Sequence, residues 1–339
     1  MNFDRREFVL GSAAILSLTS CKPRQAPEKS AFIDIWDDRL HELNAPDSKI
    51  ETLASGYTWS EGPVWDRARN CLYFNDVPGN KTWRWTEDTG AMEFLNPSGI
   101  PANQTEGFRE PGANGLWIAK DGSLLICNHG KRAIEKMDLA SGARTILADF
   151  YEGKRFNSPN DIVEGPDGAI YFTDPPYGLE GMNESPLKEQ DANGVYRLSP
   201  DGELSRILSD MTFPNGVALS PDGSQVYISQ SDPDAPVLRV CGTDGSDVRT
   251  LFDFTSYIAD DSPGLPDGLA IAETGIIFQS GPGGIFVLTP QGEALGRIRT
   301  GKATANCCFG DADGRALYMT AHDELKRVRL KVRGLPWKT

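Results

Sequence analysis

The sequence runs to 339 residues, 39% of them hydrophobic and 24% charged, and 34 basic against 48 acidic side chains leave a formal net charge of -14. A chain of that sign repels phosphate backbones, which argues against nucleic acid as a partner. Its length exceeds an ordinary single-core domain, yet no Gly/Ser or Pro-rich linker divides it, so one large repetitive domain is expected.

The first residues read as an address. Asp4-Arg5-Arg6-Glu7-Phe8-Val9-Leu10 is a twin-arginine type start, and the apolar segment after it runs only through Leu18, too short to span a bilayer. It ends in Leu18-Thr19-Ser20-Cys21, similar to a bacterial lipoprotein processing box. Residues 1–20 are therefore expected to be a signal peptide and Cys21 the lipidated new N-terminus. The mature protein is expected in the bacterial periplasm or cell envelope, touching membrane only through that anchor. Residues 21–48 follow as a linker, with one short helix expected at about residues 33–43.

From residue 49 to 335 one pattern is written six times: a polar amide or carboxylate, a short apolar run, a tight Asp-Gly type turn and a second apolar run. The starters are Glu61, Asn114, Asn160, Asn215, Asp267 and Asn306, and in four repeats an aspartate (Asp121, Asp167, Asp222, Asp313) falls seven residues after the starter. A second hairpin follows in each repeat, with turns such as Asp88-Thr89-Gly90 and Pro200-Asp201-Gly202. Two hairpins in roughly forty to fifty residues make a four-stranded propeller blade. The expected fold is all-β, a six-bladed β-propeller of four-stranded antiparallel blades with the short helix outside the ring. Closure requires the segment around Lys49 to Ala54 to pair into the last blade. Equivalent positions of a radial repeat converge on one axis, so six oxygen-bearing side chains there suit a hard cation. The exits of the second strands, Asn128-His129-Gly130 and Pro175-Pro176-Tyr177-Gly178 among them, are expected to form a wall above it.

Five cysteines follow Cys21, an odd number that cannot all pair within the chain. Cys71 and Cys127, read as sharing a phase of successive repeats, are expected to be small buried hydrophobes, and no spacing suits zinc. Adjacent Cys307 and Cys308 leave a strained vicinal disulfide as an alternative to two thiols.

Ser60-Glu61-Gly62-Pro63-Val64-Trp65, Ser158-Pro159-Asn160-Asp161, Phe213-Pro214-Asn215-Gly216 and Leu265-Pro266-Asp267-Gly268 resemble the signature segments of the gluconolactonase and senescence-marker-protein family of calcium-dependent six-bladed propellers. With Ala113-Asn114-Gly115-Leu116 and Cys127-Asn128-His129-Gly130, the resemblance is closest to the bacterial gluconolactonase-like branch. It implies that Glu61, Asn160, Asn215 and Asp267 hold one divalent cation, most simply Ca2+, with Mg2+, Mn2+ or Zn2+ as possible replacements in vitro. The chemistry agrees, since two carboxylates balance a +2 charge and two amide oxygens add neutral hard donors. The bland alternative, capping of strand starts by Asn and Asp, leaves unpaired buried charge at Glu61 and Asp267.

The resemblance further implies a lactonase opening sugar lactones such as gluconolactone, with the cation polarising the lactone carbonyl and Asp267 as the catalytic residue. For Asp267 the roles of general base, nucleophile and orienting group stay open. Asn114, His129 and Tyr177 are candidates for binding substrate, and Lys154 and Arg155 are weaker ones. Two alternatives share the scaffold: an aryl-ester or organophosphate hydrolase on the same metal, and a non-catalytic carbohydrate- or protein-binding propeller. The expected partner is a small sugar lactone and the expected state a monomer or weak dimer. No Gly-x-Ser-x-Gly elbow, P-loop or dinucleotide fingerprint supports serine hydrolysis, phosphoryl transfer or hydride transfer.

Overall fold

A computed structural model describes residues 32–43 and 48–335. The leader, residues 1–20, and Cys21 lie outside the described residues. The chain is an all-β, six-bladed propeller. Four blades are built wholly from successive strands: Ser60–Asp66 to Gly90–Leu95, Ala113–Ile118 to Arg144–Ala148, Ile162–Glu164 to Leu204–Met211, and Pro214–Leu219 to Arg249–Asp253. The fifth spans Leu269–Ile271 to Ala294–Arg299. The sixth takes Thr304–Gly310, Ala316–Ala321 and Glu324–Arg329 from the C-terminal end and Ile50–Ser55 from the N-terminal end. Ile50 pairs with Val328 and Ser55 with Glu324, so the ring closes through the segment sequence reasoning chose.

The repeated aspartates explain why the turns recur. The side chains of Asp121, Asp167, Asp222 and Asp313 each accept a hydrogen bond from the backbone N–H two residues on, at 3.0–3.1 Å. Between them sits a glycine at φ of 68° to 84°, a region that L side chains rarely adopt. Apolar residues on both faces of each blade then fill six clusters, one at each interface between neighbouring blades. Trp65, Leu72, Phe74, Tyr318 and Leu325, for example, join the first blade to the sixth. Stability is thus spread around the ring, and the hub is left to polar groups.

Two expectations are corrected. The helix at residues 33–43 is in fact a strand, Phe32–Ile35, followed by a helix of four residues, Leu40–Leu43. The strand adds a fifth member to the fifth blade, from Phe32 opposite Arg299 to Ile35 opposite Gly296. An open sheet edge and the Arg297–Asp34 ion pair at 2.9 Å outweigh local helical pattern there. Cys71 and Cys127 do not share a phase: Cys71 opens its strand, opposite Asp66, whereas Cys127 is the fourth residue of Leu124–Asn128. Both are nonetheless buried, and all five cysteines from Cys71 onward are free thiols.

Candidate active site

The innermost strands carry the site because their ladders break at the starters. Register shifts fall between Glu61 and Val64, Ala113 and Leu116, Pro214 and Val217, and Thr304 and Asn306. In the third and fifth blades the ladder begins only after the starter, at Ile162 and Leu269. A bulge re-aims the side chain it carries, here toward the axis. Close approach of neighbouring starters explains the residue that follows them. A Cβ on Gly62 would overlap the Asn114 carbonyl, on Gly216 the Asp267 carbonyl, and on Gly268 the Asn306 side chain.

The starters meet at the hub. The Asn114 amide donates to Asn160 Oδ1 at 2.8 Å, Asn160 to Asn215 Oδ1 at 2.7 Å, and Asn215 to Ser231 Oγ at 2.7 Å. Glu61 Oε2 accepts from the Gly62 N–H at 2.9 Å, and Asn306 hydrogen-bonds the Glu61 carboxyl from the other side. Asp267 lies within electrostatic reach of Glu61 and Tyr177, and its Oδ1 is buried without a hydrogen-bond partner among the described residues.

Burial dominates the electrostatics. It pushes the Glu61 carboxyl up to about 8, with the Asp161 and Glu110 charges adding to the effect. Asp267 rises well above the carboxylate range, first through burial and then through Glu61. None of the leading influences on either carboxyl is a lysine or arginine. Among the described residues no three His, Cys, Asp or Glu side chains assemble as a metal cluster. The hard donors present are two carboxylates, Glu61 and Asp267, beside the amide oxygens of Asn160 and Asn215.

The second-strand exits act largely as brackets beneath the site. Asn75 donates its amide to the Asn114 carbonyl, Thr173 Oγ1 to that of Asn215 at 2.5 Å and Ser229 Oγ to that of Asp267 at 2.6 Å, each holding the next blade's starter. Tyr177 is half-buried, stacked on Phe213 and beside Asn215, Ser231 and Asp267. His129, expected on the rim, is sealed at 0% exposure, packed so near Gly178 that a Cβ there would come within 2.7 Å of the His129 Cβ. Burial lowers it to about 3, so it is neutral at physiological pH, and its polar neighbours are Asn160 and Glu110, the latter's Oε2 3.7 Å from Nδ1. Lys154 and Arg155 lie on a small hairpin, where Arg155 N–H donates to Glu189.

Two acidic residues escaped sequence reasoning. Asp161 replaces the glycine found after four starters; its Oδ1 accepts from Ile162 N–H and Oδ2 from Val217 N–H, both at 3.0 Å, tying the third blade to the fourth. That substitution was visible in the repeat. Glu110 lies in the connection between the first two blades, which has no counterpart in the other repeats to mark it.

Residues 59–323 match the family model described as SMP-30/Gluconolactonase/LRE-like region. The chain belongs to this family of six-bladed propellers. It is 45% identical over 310 residues to a gluconolactonase of Zymomonas mobilis, covering 88% of this chain and 86% of that protein. A solved gluconolactonase from Xanthomonas campestris superposes with a TM-score of 0.75 at 32% identity, covering 90% of this chain and 99% of that one. A calcium-binding regucalcin of Agrobacterium tumefaciens shares the fold, with a TM-score of 0.67 at 18% identity over 85% of this chain and 95% of that one.

Proposed function

We propose that this chain, a lactonase by its kinship, opens sugar lactones of the gluconolactone type at the hub with a divalent cation held by Glu61, Asn160, Asn215 and Asp267. The observation that carries the reading is the meeting of two buried carboxylates, one with an orphaned oxygen, beside two amide oxygens and with no basic side chain among their leading influences. Buried like charges are costly unless a proton or cation answers them, and the donor set suits a hard ion such as calcium. The calcium-binding regucalcin on the same fold supports that choice.

When bound, such an ion supplies Lewis acidity toward an ester carbonyl and lowers the pKa of water. The residues do the rest. Asp267 takes a proton from the attacking water at its free Oδ1; the water oxygen bonds to the carbonyl carbon, the ring C–O bond breaks, and the proton passes to the departing ring oxygen. The amide chain from Asn114 through Asn215 to Ser231 fixes which way each amide oxygen points, and so prepays orientation. Tyr177 caps this corner and narrows access of bulk water.

Purified protein without its leader is expected to hydrolyse glucono-1,5-lactone only with calcium or manganese present, measured by pH-stat. Asp267→Asn or Glu61→Gln should lower kcat by at least about 100-fold. No metal-dependent turnover on any of a panel of lactones and aryl esters would favour a binding propeller instead. We also propose export and lipidation at Cys21; metabolic labelling with a fatty acid, lost in Cys21→Ala, tests it.

A further inference from the structure

Asn160 and Asn215 both sit where regular strand pairing stops. The ladder of the third blade begins only at Ile162, and that of the fourth shifts register between Pro214 and Val217. Backbone that leaves a ladder must find hydrogen-bond partners outside it. For the Asn215 segment the third blade supplies two of them. Thr173 Oγ1 donates to the Asn215 carbonyl at 2.5 Å, and Asp161 Oδ2 accepts from the Val217 N–H at 3.0 Å. The two peptide units flanking Gly216 are therefore held from one side, the first by its carbonyl and the second by its N–H.

The two jaws of this grip are one unit. Asp161 N–H donates to Thr173 Oγ1 at 3.2 Å, the Asp161 carbonyl accepts from the Thr173 N–H at 3.1 Å, and Asn160 N–H donates to the Thr173 carbonyl at 2.8 Å. Asp161 Oδ1 accepts from the Ile162 N–H at 3.0 Å, so both carboxylate oxygens are engaged and the side chain is pinned. Asp161 and Thr173 are buried, at 8% and 0% exposure. The residues that set the Asn160 backbone thus also set the Asn215 backbone, and Asn160 Nδ2 closes the link by donating to Asn215 Oδ1 at 2.7 Å. Two other joints rely on a single neutral group from the preceding blade, the Asn75 amide on the Asn114 carbonyl and the Ser229 hydroxyl on that of Asp267.

We propose that Asp161, acting with Thr173, is the positioning residue of the cation site: it fixes the Asn160 and Asn215 side-chain oxygens relative to each other, and through them the affinity and coordination of the ion. This rests on the reading that the hub holds a divalent cation, and adds to it which residue aligns two of the ligands. Groups that orient ligands without being ligands contribute heavily to metal affinity, and their loss weakens binding by about 10- to 100-fold. The glycine of the other repeats has no side chain with which to accept from Val217, so the departure from the pattern after Asn160 is what makes the grip.

The test compares wild type with Asp161→Ala, Asp161→Asn and Thr173→Val, each checked for folding by far-ultraviolet dichroism. Calorimetric calcium affinity should fall by about 10- to 100-fold in Asp161→Ala. Asp161→Asn keeps one acceptor but turns its amide on the other N–H, and should fall between that variant and wild type. Thr173→Val removes the other jaw without changing any charge, so it should weaken calcium too, and the double variant should lose less than the product of the single losses. Terbium, bound in place of calcium, reports its bound waters through luminescence lifetimes in H2O and D2O; their number should rise in Asp161→Ala as an amide oxygen withdraws. A merely structural role would lower thermal stability but leave affinity and water number at wild-type values, and that result would overturn the proposal while leaving the cation reading intact. Thr173→Val with unchanged affinity would overturn it as well, by reducing Asp161 to its charge. A further arm, run in EDTA, needs no metal: hydrogen exchange across residues 214–219 should quicken by about 10- to 100-fold in Asp161→Ala, as expected for a hydrogen bond to a charged group, and unchanged exchange refutes the grip. Wild type that binds neither ion while this arm succeeds would sink the cation reading and leave the hold on Asn215 standing.

Discussion

Metal-free protein should lose stability as the pH rises from 6.5 to 8.5, and Glu61 supplies a share that can be measured. Unfolded, its carboxyl ionises near 4.5; folded, it holds its proton up to about 8. Between those values the native state binds more protons than the unfolded state. Stability from this group is therefore complete below pH 4.5 and is lost as pH climbs through about 8, at up to about 1.4 kcal/mol per pH unit. From pH 6.5 to 8 that is about 1–2 kcal/mol for Glu61 alone, or roughly 2–6 °C in Tm for a protein of this size. Below 6.5 the neutral His129 pulls the other way, since burial lowers it to about 3. The salt-bridged aspartates near 2, such as Asp121, change only at much lower pH. Asp161 and Asp174, both pushed up to about 7 by burial, add to the slope in the same direction.

The assay is thermal unfolding by dichroism in EDTA at half-unit pH steps, for wild type and Glu61→Gln. The variant should have the shallower slope and, at pH 8, the higher Tm, although it lacks activity. Saturating calcium should flatten or reverse the wild-type slope, because ligands must be deprotonated to bind and occupancy at about 100 times Kd stabilises by about 2.7 kcal/mol. A metal-free Tm that is level or climbs across this window, or a Glu61→Gln variant with the wild-type slope, would refute the reasoning.

Gly216→Ala places a methyl group on the Asp267 carbonyl and should cost about 1–3 kcal/mol, with activity falling further than stability because Asp267 moves; urea unfolding and pH-stat rates on one preparation check both. Removing residues up to 36 deletes the fifth strand of an otherwise complete blade and Trp36, which stacks on Tyr257, and should leave folded, active protein a few degrees less stable, since buried Arg297 loses Asp34. Removing residues up to 56 instead takes the closing strand from the sixth blade, and size-exclusion chromatography should find aggregates. Ser229→Ala removes the shorter of two donors to the Asp267 carbonyl, at 2.6 Å beside Gln279 Nε2 at 2.9 Å, and should lower kcat on gluconolactone more than it lowers Tm.

The blades were legible because their punctuation is chemical. An aspartate that accepts its own turn's N–H, followed by a glycine at positive φ, can be read from sequence wherever it repeats. The convergence of Glu61, Asn114, Asn160, Asn215 and Asp267 was legible for the same reason, as equal phase in a ring means equal radius. Phe32–Ile35 was not, because it is a strand only by virtue of the distant edge at Ala294–Arg299, where Phe32 pairs with Arg299 and Ile35 with Gly296. His129 carries no sequence sign of the Gly178 backbone that packs against it, and Glu110 sits in a loop where periodicity ends.

The hub also shows why the motif pairs a polar starter with glycine. Six strands cannot bring oxygen donors to one axis unless their backbones nearly touch, and the residue after each starter lies at that closest approach. Glycine there is a consequence of convergence, so the two residues of the motif carry one message. The exceptions are informative. After Asn160 the chain places Asp161, whose two oxygens replace the lost backbone contact by accepting from Ile162 and Val217. After Asn306 it places Cys307, buried with its thiol on the Phe278 carbonyl at 3.4 Å and pushed up by burial. One side chain bridges and the other fills, and neither opens into the centre as Glu61, Asn160, Asn215 and Asp267 do. The ring is thus sixfold in its fold but lopsided in its chemistry, with both starter carboxylates on one side of the hub and the linked amides of Asn114, Asn160 and Asn215 on the other. On the proposed reading, a cation held among them takes charge from one side and neutral oxygens from the other, an asymmetry that an evenly repeated ring would not provide.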